Sequence, residues 1–196
     1  MSTTMAAIDV RTGEEADVPV VLALLDGAVR WLVERGHVGQ WGTEPQSTNP
    51  RRIVTITQWA GDGSLYLACL DQQPVGALAV GAAPAYVPAV DEPELYVNLL
   101  VTDRALAGRG IGRRLLTHAR EIARTRGVGL LRMDCYSGDD RTLVRYYEQE
   151  GFSATDPFTV ELPAGPWPGQ VLEQRLDQLC VLAPPHGNTL PCRWSV

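Results

Sequence analysis

Lysine is missing from this chain of 196 residues: all 17 basic side chains are arginines, set against 23 acidic ones. Without lysine there is no P-loop, whose glycines must lead into a Lys, and the protein cannot be acetylated on its own lysine side chains. Cysteine and histidine are scarce. Cys69, Cys135, Cys180 and Cys192 form no C-x-x-C pair, and His37, His118 and His186 have no ligand spacing, so no metal site is expected. Cys69 and Cys135 sit in apolar runs and read as small buried hydrophobes, which suits a reducing, cytoplasmic setting. No stretch approaches the roughly twenty apolar residues of a membrane-spanning helix. The first residues lack the basic and apolar regions of a secretory leader. A net charge of −6 argues against nucleic acid as a partner, although a basic stripe runs from Arg104 to Arg126.

What is present is concentrated between Leu95 and Leu116. Leu95-Tyr-Val-Asn-Leu-Leu-Val reads as a strand, followed by a short loop with Gly108, Gly110 and Gly112 at every second position, then a helix. Glycines where a loop enters a helix let a ligand approach the backbone. The free N–H groups and positive dipole end favour an anion, above all a phosphate, and Arg109, Arg113 and Arg114 add charge there. The spacing is not that of a dinucleotide fingerprint, because the third glycine of G-x-G-x-x-G comes one residue early and Arg113 stands where a small residue must pack.

A second segment carries chemistry of its own. Leu130-Leu-Arg-Met-Asp-Cys135 is strand-like. After Tyr-Ser-Gly-Asp-Asp comes the helical run Leu143-Val-Arg-Tyr-Tyr-Glu-Gln-Glu-Gly-Phe152, in which Tyr147 precedes Gly151 by four residues. Leu143, Tyr146 and Tyr147 share helical spacing, so either tyrosine also fits a packing role.

The rest of the chain reads as alternating elements. A strand is expected over Ala7–Arg11, a helix over Glu14–Arg35 ended by Gly36, and a Gly/Pro-rich loop from His37. A helix follows over Pro50–Ala60. Strands over Ser64–Leu70 and Pro74–Val80 flank a hairpin turn at Asp71-Gln-Gln. A loop spans Gly81–Pro93, the central strand Glu94–Val101, and the glycine-led helix Gly110–Arg126, capped by Gly127. Strand Val128–Cys135 and helix Asp140–Glu150 come next, then strands near Phe152–Thr155 and Gln170–Leu176. Pro163-Ala-Gly-Pro-Trp-Pro-Gly169 reads as a turn-rich loop, and the chain from Pro184 as an irregular tail. The simplest account is one α/β domain over residues 1–183, with a tail over 184–196.

The glycine motif and the Tyr-x-x-x-Gly-Phe segment, in this order, resemble the GCN5-related N-acetyltransferase (GNAT) family, most closely from about Leu65 to Leu176. The resemblance implies a mixed, mostly antiparallel sheet flanked by helices, the acyl-CoA N-acyltransferase fold. It implies acetyl-CoA as co-substrate and direct transfer of its acetyl group to a primary amine of a small molecule or peptide. The cofactor would be held by Gly108, Arg109, Gly110, Ile111, Gly112 and Arg113. The motif's opening Gln or Arg is replaced here by Ala107. Leu99, Leu100 and Val101 match the strand end where the sheet splays, and Asn98 marks a bulge or is an ordinary strand residue. Tyr147 takes the general acid's position, and Asp140 stands where the family often has Asn in contact with the cofactor. Asp134 and Glu94 are the candidates for the base, Glu94 sharing a strand face with Tyr96 and Asn98 opposite Leu95, Val97 and Leu99. The acceptor is expected between Trp31, Gln40, Trp41 and Glu44 on one side and Tyr86 and Asp91–Glu94 on the other, with Trp167 as a further wall. Homodimers are common in the family, and these residues leave the oligomeric state open. A non-catalytic acyl-CoA sensor or partner-recruiting module is the alternative, prompted by Ala107 and the undecided base.

Overall fold

The computed structural model describes residues 7–138, 140–162 and 165–176. Local chemistry sets its element boundaries. Strand β1 (Ile8–Thr12) leads into a short 3-10 turn, where the Asp17 carboxylate accepts from the Glu14 N–H at 2.9 Å and pairs with Arg11 at 2.7 Å. Helix α1 (Val18–Val33) follows, and helix α2 (Pro50–Gly61) starts at the Asn49 side chain, which accepts from the N–H groups of Arg51 and Arg52. Strands β2 (Leu65–Leu70) and β3 (Gln73–Gly81) are joined by Asp71 and Gln72 at φ +48° and +65°. Positive φ at both central residues is what a tight two-residue hairpin requires. After β4 (Glu94–Thr102), helix α3 (Ile111–Thr125) closes at Gly127, φ +67°, with the Val128 N–H returning to the Ala123 carbonyl at 2.9 Å. Strand β5 (Leu130–Tyr136), helix α4 (Thr142–Gln149) and strands β6 (Ser153–Leu162) and β7 (Gly165–Arg175) complete the described chain.

The seven strands form one sheet in the order β1-β2-β3-β4-β5-β7-β6, antiparallel at every junction except the parallel β4–β5 pair. Helices cover both faces. Ile111, Leu115, Leu116 and Ala119 of α3 and Val144 and Tyr147 of α4 pack with Leu78, Leu131 and Met133. On the opposite face, Val21, Leu22 and Leu25 of α1 and Ile56 of α2 pack with Leu65, Leu67, Ala77 and Ala79. Gly76 lets α3 press onto the sheet, since a Cβ there would meet Ile111 Cγ2 at 2.9 Å.

Asn98 is a bulge. Ala79 pairs with Leu99 but Val80 pairs with Val97, so Asn98 is the extra residue. An extra residue reverses which face each later side chain meets. Leu95 and Val97 accordingly pack with α3, whereas Leu99 and Val101 pack with α1. The uninterrupted alternation expected for Leu95, Val97 and Leu99 is thus corrected at the bulge. The loop expected over residues 163–169 is corrected as well: from Gly165 onward it is strand β7, paired with a β6 that runs to Leu162. Prolines fit here because β5 pairs β7 only from Gly169 onward. The missing N–H of Pro168 lies on the same side as its carbonyl, which accepts from Ser137 N–H beyond the end of β5. The C-terminal tail and the 183/184 boundary lie outside the described residues.

Candidate active site

Strands β4 and β5 pair only through Glu94–Val97 and Leu130–Met133, then diverge. Beyond that point β4 continues beside β3, and β5 beside β7. The Asp103 N–H donates to Val75 O at 2.8 Å. By antiparallel alternation, Val101 and Leu99 also turn their backbone groups to β3, leaving those of Leu100 and Thr102 facing the gap. Of the three strand-end residues expected at the cofactor, Leu100 therefore offers backbone groups to the opening. Leu99 and Val101 direct theirs into the sheet.

A cavity of about 680 Å³ occupies this gap, walled by α1 and the loop after it, the end of β4, the mouth of α3, the end of β5 and α4. Gly108, Arg109, Gly110, Ile111, Gly112 and Arg113 all line it, as do Asp140 and Tyr147. Gly108 and Gly110 have φ of +82° and +78°, the left-handed region that favours glycine, and a Cβ on either would meet nothing within 4 Å. The Gly110 carbonyl accepts the first helical bond from Arg114 N–H, at 2.9 Å. The N–H groups of Ile111, Gly112 and Arg113 belong to the first turn and have no intrahelical partner. An open notch beneath free donors fits a diphosphate. Arg104 stands in the same wall, its guanidinium 3.9 Å over the Trp31 ring and its buried Nε without a hydrogen-bond partner among the described residues.

The Arg113 side chain is directed elsewhere, pairing with Glu150 at 3.0 Å to tie α3 to the end of α4. Arg120 donates to the Glu150 carbonyl and to Gln174 Oε1 at 2.7 Å and lies over Phe152, anchoring α3 to the end of α4 and to β7. Asp140 accepts from Thr142 N–H at 3.0 Å and Thr142 Oγ1 at 2.7 Å, and these bonds hold its pKa below the usual carboxylate value. It starts α4 at the cavity rim.

Tyr147 is buried in the α4–sheet interface against Phe152 and Tyr146. Burial raises its pKa well above the usual phenol, so it carries its proton at neutral pH. Asp134 lies one residue past the last β4–β5 pair, on the other face of the sheet. Its Oδ1 accepts from the Tyr96 hydroxyl at 2.6 Å, and its Oδ2 faces the Tyr86 hydroxyl at 3.5 Å. Desolvation raises the Asp134 pKa against the pull of these two bonds. Like Asp134, Glu94 is not in the cavity wall. Its carboxylate binds Arg132 at 3.0 Å, and Arg132 also donates to the Pro88 carbonyl, clamping the 81–93 loop to the sheet.

Of the expected acceptor residues, Trp31, Gln40 and Trp41 line the cavity. Tyr86 instead stacks on Phe158 beside Asp134, and Glu92 pairs with Arg175 at 2.6 Å. Trp167 donates from Nε1 to the Gln40 carbonyl at 2.9 Å, fastening the loop after α1 to β7. Tyr136 is a wall residue that sequence reasoning did not name. It lies on the same strand face as Asp134, and Gly39 leaves room for it: a Cβ there would collide with the Tyr136 hydroxyl oxygen. The two-residue strand period was the signal available for it. Among the described residues no three His, Cys, Asp or Glu side chains converge as a metal site, and no helix is long and apolar enough to cross a membrane.

A splayed β4–β5 pair, a glycine-led helix mouth at the end of β4 and helices on both faces define the class. The model of the acetyltransferase (GNAT) family matches residues 28–152, and the chain belongs to that family, whose co-substrate is acetyl-CoA. The chain is 31% identical over 143 residues to the mycothiol acetyltransferase of Rhodococcus erythropolis, a match that covers 72% of this chain and 44% of the relative. The chain thus spans less than half of that curated relative's length. The fold is similar to that of yncA from Salmonella typhimurium, solved with its cofactor acetyl-CoA (TM-score 0.64, 17% identity, 93% of this chain and 100% of the other). It is also similar to a GNAT-family acetyltransferase from Listeria monocytogenes (TM-score 0.66, 19% identity, 88% and 99%).

Proposed function

We propose that the protein transfers the acetyl group of acetyl-CoA to a primary amine of a small molecule or peptide by direct attack, with Tyr147 as general acid and Asp134 as general base. The observation that carries this reading is the gap between β4 and β5, with Asp134 beside its vertex on one sheet face and Tyr147 on the other. The co-substrate supplies the activated acetyl group as a thioester. The helix mouth at Gly110, Ile111 and Gly112 binds its diphosphate, and the backbone N–H of Leu100, turned into the gap, polarises a carbonyl there. Asp134 takes a proton from the amine as the N–C bond forms. Tyr147 gives its proton to the sulfur as the C–S bond breaks. Its raised pKa keeps that proton in place until the thiolate appears.

The acceptor side is aromatic, with Trp41 and Tyr136 in the wall, which suits an amine on an apolar or ring-bearing body. The likeness to mycothiol acetyltransferase puts mycothiol-related amines first among the acceptors to try. The free, buried thiols of Cys69 and Cys135 suit a reducing cytoplasm, and burial pushes the Cys135 pKa up to about 12, so it is no nucleophile.

The test is release of free CoA thiol from acetyl-CoA over a panel of mycothiol-related amines, polyamines, amino acids, aminoglycosides and short peptides. Tyr147→Phe should lower kcat about 10²–10⁴-fold, the range for a general acid, while acetyl-CoA binding persists. Tight acetyl-CoA binding with no turnover on any amine would favour the acyl-CoA sensor instead.

A further inference from the structure

We propose that the side chains of Tyr146 and Arg104 clamp the diphosphate of the acyl-CoA co-substrate, doing the work left undone by Ala107 at the head of the glycine motif; this rests on the acetyl-CoA reading above. The two residues come from different elements, Arg104 from the turn after β4 and Tyr146 from α4, and both stand in the wall of the same cavity as the helix mouth. Ala107, also in that wall, presents a methyl group where the motif otherwise supplies a side-chain donor.

Gly112 registers the position of Tyr146. A Cβ on Gly112 would lie 2.5 Å from the Tyr146 hydroxyl oxygen. That hydroxyl therefore sits against the first turn of α3, beside the N–H groups free to bind an anion. Half-burial and nearby Glu150 raise the Tyr146 pKa, so the group arrives protonated, as a donor. Its ring is braced edge-on against Tyr147 at 5.1 Å between centroids.

Arg104 is held by stacking rather than by a carboxylate. It shares the Trp31 ring with Arg35, the two guanidinium carbons lying 3.9 and 4.2 Å from the ring centroid. A planar cation fixed on an aromatic face keeps its N–H donors available for an anion. The other arginines of the motif are less prepared: Arg113 is bound to Glu150, and Arg109 lies exposed on the loop. Burial and neighbouring Arg35 act against the charge on Arg104, and an anionic ligand would relieve both.

Calorimetry on the purified full chain tests the clamp with CoA, dephospho-CoA and acetyl-pantetheine as probes. Tyr146→Phe and Arg104→Gln should each weaken CoA about tenfold, roughly what one hydrogen bond to a charged group contributes, and weaken dephospho-CoA by the same factor. KM for acetyl-pantetheine, which has no diphosphate, should stay within twofold. Ala107→Arg should restore CoA affinity in either variant, which a merely structural defect would not permit. If both variants bind CoA like the unaltered protein, the clamp is refuted. It is equally refuted if their loss vanishes with dephospho-CoA, since the contact is then to the 3′-phosphate. Should the unaltered chain bind neither CoA nor acetyl-CoA, the acetyltransferase reading fails instead.

Discussion

The Tyr96 hydroxyl donates to Asp134 Oδ1 at 2.6 Å, one residue beyond the point where β4 and β5 part. Tyr96 is fully buried, so this bond is fixed, and it stabilises the carboxylate that desolvation opposes. With Asp134 as base, kcat/KM falls as pH drops through its raised pKa. Tyr96→Phe removes a donor to the ionised form and raises that pKa further, so the acidic limb should move to higher pH. A pH–rate profile with acetyl-CoA and the best acceptor measures the shift. An unmoved acidic limb with only a lower plateau would remove Asp134 from the role.

Glu94 and Asp134, both candidates for the base, should separate by stability. The Arg132 side chain is 4% exposed and its charge is met by Glu94. Glu94→Ala leaves that guanidinium buried without a counter-charge and should cost about 3–5 kcal/mol. Glu94→Gln keeps an acceptor and should cost less. Turnover per folded molecule should survive in Glu94→Gln, whereas Asp134→Asn should lose about 10²–10⁴-fold in kcat with little change in Tm. Denaturation curves paired with thiol-release rates decide it. A well-folded but inactive Glu94→Gln protein would return Glu94 to the chemistry.

The difference between these two carboxylates shows where sequence reasoning stops. Local pattern suffices for the glycines, whose alternate spacing and following helix define the α3 mouth, but it leaves Asn98 undecided until the β3 register shows the bulge. It fails where partners are distant in sequence. Nothing near Glu94 announces Arg132, 38 residues on, and nothing near Gln40 announces Trp167, 127 residues away. The β6–β7 hairpin was hidden for another reason. Pro166 and Pro168 look like breakers until the pairing is known, and only the register shows that the missing Pro168 donor falls beyond the end of β5. Tyr146 fits a packing role by its spacing, because helical spacing cannot tell a hydroxyl aimed at a helix mouth from a ring in the core.

The Trp167 bond to the Gln40 carbonyl implies a division of labour across the cavity. It fastens the loop bearing Gln40 and Trp41 and touches no part of the helix mouth. Trp167→Phe keeps a ring and deletes the donor. KM for the acceptor should rise about three- to tenfold, the weight of one neutral hydrogen bond, while the Kd for CoA stays unchanged. Steady-state kinetics with calorimetry distinguishes the two. A parallel loss of CoA affinity would mean that the loop also shapes the cofactor side.

Gly112 and Tyr146 should prove energetically coupled. Gly112 has ordinary helical backbone, so alanine strains nothing in the chain itself, and its Cβ meets only the Tyr146 hydroxyl at short range, the next ring atom being 3.6 Å away. In the unaltered background Gly112→Ala pushes that hydroxyl aside and should destabilise by about 1–3 kcal/mol, as overpacking does. In a Tyr146→Phe background the nearest contact becomes an ordinary van der Waals one. The cost should then vanish or change sign, since alanine is favoured over glycine in a helix by up to about 1 kcal/mol. A double-mutant cycle in thermal or denaturant unfolding reads the coupling directly. Equal costs in both backgrounds would mean that the hydroxyl does not rest on the mouth of α3.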